Sequence, residues 1–128
     1  MTSAAVVDTS CLVALAFGEP EAPRTLARLR RFDRLFASAL LEAELLAAFR
    51  RERMAADISD FTKDLALVSP DRPLSIELRR TADAGYLRGA DMWHLACALF
   101  LSPDSSELTF LTLDENQRAV ARRLGFAV

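Results

Sequence analysis

Four acidic residues stand where the sequence predicts the ends of strands or the starts and faces of helices. Asp8 follows a short apolar run near the start of the chain, and Asp114 follows a later predicted strand. Asp91 begins an apolar helix, and Glu44 interrupts a helix that is otherwise rich in Leu and Ala. Because parallel strands bring their carboxyl ends to one edge of a sheet, we expect these side chains to converge there.

Carboxylates gathered in one crevice require protons or a cation. Two carboxylates about 4 Å apart repel each other by roughly 4 kcal/mol at an effective dielectric constant of 20. Oxygen ligands of this kind select Mg²⁺ or Mn²⁺, and Mg²⁺ usually keeps several waters while it takes only one or two carboxylates directly. Such a site can hydrolyse phosphodiesters, since the ion activates water and stabilises the leaving oxygen.

Each acid also has a simpler structural interpretation. Asp8, Asp91 and Asp114 can each cap the helix that follows, because an Asp side chain accepts hydrogen bonds from the first backbone N–H groups. Glu44 can be a solvated residue of its helix. Glu42 lies two positions earlier and therefore nearly on the opposite side, so only one of the two can face a given site.

The elements that must position these acids alternate between strands and helices. Strands are predicted over 4–7, 35–37 and 108–113, with 126–128 as a further candidate. Helices are predicted over 11–17, 21–33, 38–56, 57–67, 74–84, from 91 onward, and over 115–124. Strands that alternate with helices through short loops indicate an α/β fold with a parallel sheet between helices.

Composition limits the class of protein. The chain has 128 residues, 52% of them hydrophobic, which predicts one globular domain over residues 1–128 and excludes a disordered chain. A net charge of −2 excludes nucleic-acid binding by bulk positive charge, so any such contact is a local patch. Cys11 and Cys97 have no C-x-x-C spacing, which favours a reducing cytoplasm, and the apolar run 11–17 has no basic leader and is neither a signal peptide nor a membrane span.

Four short motifs occur along the chain in a fixed order. They read VVDTS at 6–10, SALLEAEL at 38–45, GADMWHLA at 89–96 and LTLD at 111–114. In this order they span almost the whole chain and resemble the PIN-domain family, specifically the VapC toxins of bacterial type II toxin–antitoxin pairs.

The resemblance implies a three-layer α/β/α fold with a short parallel central sheet. It also implies an Mg²⁺- or Mn²⁺-dependent endoribonuclease that cleaves RNA phosphodiester bonds through metal-activated water and leaves a 5′-phosphate. A VapB-like antitoxin and a homodimer are the implied partners. The positions that match the family's catalytic and metal-binding acids are Asp8, Glu44, Asp91 and Asp114, and the supporting hydroxyls are Ser10 and Thr112.

Two other classes of function stay open. One is a PIN-like domain without catalysis that binds RNA or a partner. The other is an aspartyl-phosphate phosphotransfer protein built on Asp8. Its haloacid-dehalogenase version needs a second Asp where Ser10 stands, and its response-receiver version needs a lysine later in the chain than Lys63.

The remaining polar residues have two interpretations each. His94, the single histidine, lies three residues after Asp91, and a buried histidine with one hydrogen bond is expected rather than a metal ligand. Thr9 is expected to serve a helix cap. Two arginine clusters can bind RNA phosphates, form salt bridges to an antitoxin, or be solvated helix faces; they are Arg24, Arg28, Arg30, Arg31, Arg34 and Arg50, Arg51, Arg53.

Overall fold

The computed structural model describes residues 3–128, which form four strands and the helices that connect them. The strands are β1 (Ala4–Val7), β2 (Arg34–Ser38), β3 (Leu65–Val68) and β4 (Thr109–Leu111). The helices are α1 (Thr9–Phe17), α2 (Ala22–Leu29), α3 (Leu40–Arg51), α4 (Ser59–Thr62), α5 (Ser75–Ala84), α6 (Gly89–Leu101) and α7 (Glu115–Arg123). A 3₁₀ turn at Ser105–Glu107 precedes β4.

The strands form one parallel sheet in the order β3-β2-β1-β4. Strand β1 lies in the middle, where Val6 pairs with Phe36 of β2 on one side and Phe110 of β4 on the other. Because all strands run the same way, their carboxyl ends share one edge, which we call the carboxyl edge. The predicted three-layer α/β/α fold is confirmed.

Alternating residues of β1 serve the two helical layers. Ala5 and Val7 point into a core with α1, α2 and α3, whereas Val6 belongs to the core formed with α6 and α7. The three side chains are buried, as the period-2 alternation of a central strand requires. Leu41 of α3 and Leu95 of α6 are completely buried in these layers, and each contributes roughly 1.5–3 kcal/mol through burial of its side chain.

Helix α5 lies outside the sheet layers and packs on α6. Leu74, Ala96 and Cys97 form the buried centre of this contact. Helix α6 is therefore covered both by the sheet and by α5, which explains why its sequence is apolar on two sides.

The prediction of a helix over 57–67 is wrong. Only Ser59–Thr62 is helical, and Leu65–Val68 forms an edge strand that pairs with β2. An apolar run of four residues is too short for periodicity to separate a strand from a helix, and here pairing with β2 decides the outcome.

Several element boundaries also differ from prediction. Helix α2 ends at Leu29 because the chain turns so that the Asp33 and Arg34 N–H groups reach the Ser3 carbonyl, beside β1. Helix α3 ends at Arg51, two residues before Arg53 adopts a left-handed φ of 53°. The candidate strand at 126–128 reduces to a single parallel bridge between residues 127 and 109.

None of the helices within residues 3–128 has the length and apolar character needed to cross a membrane.

Candidate active site at the carboxyl edge of the sheet

Asp8 follows β1 and caps α1, so its predicted capping role is confirmed. Its Oδ2 accepts a hydrogen bond from the Ser10 N–H at 3.1 Å and lies 3.4 Å from the Thr112 hydroxyl. Its Oδ1 accepts a hydrogen bond from Gln117 Nε2 at 3.2 Å. Both oxygens are thus held in fixed positions in a residue that is only 5% exposed. These contacts fix the orientation of the Asp8 carboxylate, which also caps α1.

Asp114 follows β4 and caps α7, as predicted. Its Oδ1 accepts a hydrogen bond from the Gln117 N–H at 2.8 Å, and its own N–H donates to the Thr112 hydroxyl at 3.1 Å. The Gln117 side chain does not return to the Asp114 N–H, as a complete capping box would require. It extends instead toward Asp8 and the backbone carbonyl of Asp91.

Asp91 is not a helix cap, so that prediction is wrong. Helix α6 begins at Gly89 after Arg88, and Asp91 lies in its first turn. Its side chain is 20% exposed and lies 3.6 Å from the Arg88 guanidinium. Burial raises the pKa of Asp91 above its usual value, and the nearby negative charge of Asp8 raises it further, with smaller contributions from Asp114 and Glu44. The Arg88 guanidinium opposes this rise in pKa but does not cancel it.

Glu44 faces the carboxyl edge, whereas Glu42 is exposed on another side of α3. The Glu44 Oε1 atom accepts a hydrogen bond from the Thr9 hydroxyl at 2.8 Å and lies 2.5 Å from His94 Nε2. The Thr9 hydroxyl thus bonds to a candidate site residue, contrary to the expectation that it serves a cap.

His94 is buried, as expected, but its partners are the candidate site residues. Its Nε2 atom lies 2.5 Å from Glu44 Oε1 and 3.9 Å from Asp8 Oδ1. Burial alone would lower the pKa of His94, yet the hydrogen bond with Glu44 and the charge of Asp8 raise it above its usual value. The same hydrogen bond lowers the pKa of Glu44. Both shifts favour the ion pair.

The two predicted supporting hydroxyls join the ends of β1 and β4. Ser10 Oγ accepts a hydrogen bond from the Leu113 N–H at 3.0 Å and lies 3.3 Å from Thr112 Oγ1. Thr112 in turn donates to Gln117 Oε1 at 2.6 Å. The hydroxyls therefore fix the spacing between the strand ends that carry Asp8 and Asp114.

The four predicted acids thus lie at the carboxyl edge, where Asp91 experiences the charges of the other three. Within residues 3–128, no three His, Cys, Asp or Glu side chains are close enough together to hold a metal ion as they stand. The donor set nevertheless fits a hard divalent cation, since it consists of carboxylate oxygens whose negative charge is only partly offset by His94 and Arg88. An ion of this type can be held through one or two carboxylates and waters.

Sequence reasoning gave two residues of this network other roles, a helix cap for Thr9 and a single core hydrogen bond for His94, and it missed the side-chain role of Gln117. Spacing contains a signal for two of them. His94 follows Asp91 by three residues and therefore lies on the same side of α6, and Gln117 lies at the third position after a helix cap. The sequence contains no signal that distinguishes a capping role for Thr9 from a hydrogen bond to Glu44, which lies 35 residues later in the chain.

A large cavity lies elsewhere on the molecule. It measures about 760 Å³, lies between α1, α2, α4 and the amino ends of β2 and β3, and is lined largely by Leu and Phe side chains together with a few Arg and Asp. None of the four acids lines it. The four candidate acids and this cavity are therefore on different parts of the surface.

Comparison with known proteins gives one match. The sequence model of the PIN domain family matches residues 5–123. No curated protein and no solved structure matches the chain.

Proposed function

The chain belongs to the PIN domain family, and from this premise we propose that it is an Mg²⁺- or Mn²⁺-dependent endoribonuclease, the toxin of a VapBC-type pair. PIN domains are generally nucleases and typically depend on a divalent metal. The single observation that carries the proposal for this chain is the placement of Asp8, Glu44, Asp91 and Asp114 at one edge of the sheet. Gln117 bonds to Asp8 Oδ1, the Asp91 carbonyl and Asp114 Oδ1, and His94 Nε2 joins Glu44 to the same group.

Asp8 and Asp91 are the proposed direct ligands of the metal ion, with Glu44 and Asp114 completing the anionic surroundings. Asp8 is held by Gln117 and the Ser10 N–H, so it is oriented before an ion arrives. Asp91 does not cap a helix, and its pKa is raised above the usual value; a bound cation would lower this pKa again. When bound, a divalent ion supplies charge stabilisation to the phosphodiester and lowers the pKa of water.

The proposed reaction is hydrolysis of an RNA phosphodiester. A water oxygen attacks phosphorus, the bond to the 3′-oxygen breaks, and the products are a 3′-hydroxyl and a 5′-phosphate. The chain's own residues orient the acids: Gln117 holds Asp8 and the Asp91 backbone, while His94 and Thr9 hold Glu44. His94 and Gln117 act in this scheme as positioning residues.

The phosphotransfer alternative lacks support from the fold. Lys63 follows α4 and precedes β3, which places it at the amino edge of the sheet, opposite Asp8. A lysine there cannot contact a phosphoryl group on Asp8.

A VapB-like antitoxin and a homodimer complete the proposal, together with a single domain over residues 1–128 and a cytoplasmic location. The 760 Å³ apolar cavity, at whose rim Leu26 is 38% exposed, supports a partner that inserts apolar side chains. Exposed Leu46 of α3 and the free edge of β3 support self-association. Both cysteines are free and buried, which agrees with a reducing compartment.

The decisive test is cleavage of total RNA by the purified chain with Mg²⁺, with Mn²⁺ and with EDTA. We expect cuts in both metals, none in EDTA, and 5′-phosphate ends that can be ligated directly. Asp8→Asn should abolish cleavage while the circular dichroism spectrum stays unchanged. RNA binding without any metal-dependent cut would instead identify the non-catalytic alternative, and full activity of Asp8→Asn would overturn the assignment of Asp8.

A further inference from the structure

A second, smaller cavity lies beside the acidic site and is rimmed by arginines; we call it the arginine pocket. It measures about 240 Å³ and lies between α1, α2 and the β4–α7 junction. Arg24 and Arg28 of α2 and Arg118 of α7 line its rim, and Cys11, Leu111 and Leu113 contribute apolar surface. Resting on the function proposed above, we propose that this pocket binds one nucleotide of the RNA strand next to the phosphodiester that is cut.

The charge of the lining favours an anion. Three arginines and one carboxylate, that of Glu21, line the cavity, and Arg118 is also paired with Glu115 outside the lining. Among the described residues, neither Arg24 nor Arg28 has a carboxylate within ion-pair distance. Two guanidinium groups that lack an internal partner and project from one helix into one cavity can grip a phosphate in bidentate fashion.

Arg118 is already fixed at the pocket wall. Its Nη2 donates to the Thr112 carbonyl at 2.7 Å, and its Nη1 bonds to Glu115. These contacts engage two of the five N–H donors of a guanidinium group, and the side chain is only 23% exposed. A cation held in place in this way loses little rotamer entropy when an anion arrives.

The pocket and the acidic site share a wall. Thr112 lines the pocket, while its hydroxyl lies 3.4 Å from Asp8 Oδ2 and donates to Gln117. Cys11, which also lines the pocket, lies one turn of α1 after Asp8. An RNA strand whose phosphodiester lies at Asp8 therefore passes the arginine pocket with an adjacent nucleotide.

The size and chemistry of the pocket suit part of a strand rather than a complete small ligand. Its volume lies below the range of about 300–1,000 Å³ that is typical of small-molecule sites. Guanidinium groups at the rim fit a phosphate, and the Leu111 and Leu113 surface fits the apolar face of a sugar or base. Because the pocket lies next to the proposed phosphodiester site, we favour RNA as its occupant over the carboxylates of a protein partner.

The test measures binding of a short, mixed-sequence, single-stranded RNA to the full chain in EDTA, so that no cleavage occurs. We expect the Arg24→Gln/Arg28→Gln variant to bind at least roughly 10-fold more weakly. Its slope of log affinity against log salt should fall by about 1.4, because each phosphate of single-stranded RNA that is no longer neutralised lowers the slope by about 0.7. Arg24→Lys/Arg28→Lys keeps the charge and should keep most of the slope.

The matched control is Arg30→Gln/Arg31→Gln, which removes the same charge next to the same helix but outside the pocket. Equal losses in the two Gln variants would overturn the proposal, because RNA would then respond only to net charge. Unchanged RNA binding together with a loss of binding to an oligoglutamate peptide would overturn it in favour of a protein partner. A specific loss in EDTA supports the pocket even if the wild-type chain cuts no RNA, an outcome that refutes only the proposed nuclease.

Discussion

His94 Nε2 lies 2.5 Å from Glu44 Oε1, and this contact joins α6 on one face of the sheet to α3 on the other. The two helices do not follow each other in sequence, and the residues are 50 positions apart. The pair therefore closes the carboxyl edge between the two helical layers, with the Thr9 hydroxyl as a third member. A site built in this way depends on both layers for its geometry.

The His94–Glu44 pair predicts a particular dependence of stability on pH. The raised pKa of His94 gives stability that is fully present below the unfolded value of about 6.5 and is lost as the pH rises through the folded value. The lowered pKa of Glu44 gives stability that is present above about 4.3 and is lost on acidification. Both contributions are therefore present between about pH 4.3 and 6.5.

In this window we expect His94→Gln to lower the free energy of unfolding by roughly 1–3 kcal/mol, because Glu44 loses its partner. Urea unfolding in EDTA at pH 5.5 and at pH 8.5 measures the effect. The difference between wild type and variant should be smaller at the higher pH. An equal difference at both values would show that packing, not the ion pair, explains the effect of His94.

Glu44 and Glu42 form a matched pair of carboxylates on α3. Glu44→Gln should reduce the rate of metal-dependent RNA cleavage by at least roughly 10- to 100-fold, a loss typical of residues around a metal site. Glu42→Gln removes the same charge from an exposed position and should leave the rate within about twofold, since a surface substitution of this kind costs little. Initial rates on one RNA substrate measure both variants, and a similar loss in each would contradict the assignment of Glu44.

Gln117→Glu should make the site more dependent on a divalent ion. The substitution replaces the Nε2 donor, 3.2 Å from Asp8 Oδ1, with a further carboxylate beside the acids. Repulsion on the order of a few kcal/mol should lower the Tm in EDTA. Added Mg²⁺ should then raise the Tm more than it does in wild type.

Gln117→Met is the control for this comparison, because it removes the same donor without adding charge. Its Tm should fall in EDTA as well, but Mg²⁺ should not give it a larger shift than wild type. Equal Mg²⁺ shifts in the Glu and Met variants would show that the charge at this position does not act on a bound ion.

Both cysteines should resist thiol reagents in the native protein. Burial raises the pKa of the Cys11 thiol to about 12, with a further contribution from Asp8, and burial also raises the pKa of Cys97. The reactive thiolate is thus scarce at neutral pH. We expect no release of thionitrobenzoate from DTNB in buffer at pH 8 and two equivalents in guanidinium chloride. Fast labelling of the native chain would contradict the packing around α1 and α6.

The fold was predictable because the sequence alternates apolar runs with helical patterns. The run at residues 4–7 and the Gly18 that ends α1 identify the first unit directly. The strand at Leu65–Val68 was not predictable in this way, since only its pairing with β2 distinguishes it from the end of a helix. Tertiary pairing overrides local pattern at such a sheet edge.

The charged residues of the candidate site could be predicted from the sequence, but the neutral residues that bond to them could not. A carboxylate after a strand stands out in sequence, whereas Gln117 is indistinguishable from a helix-capping residue until the fold brings it to Asp8. Asp91 shows the reverse error. The sequence predicts that Asp91 begins its helix, but α6 starts at Gly89, and the Asp91 carboxylate pairs with Arg88 and does not cap the helix.

The bond between Gln117 and Asp8 spans 109 residues, and that separation has a consequence for biosynthesis. At about 5–20 residues per second, a ribosome makes Gln117 roughly 5–20 s after Asp8. Until then the growing polypeptide contains the first acids but not the amide that holds Asp8 or the carboxylate of Asp114. Until α7 has been synthesised, a nascent chain therefore carries an incomplete acidic site.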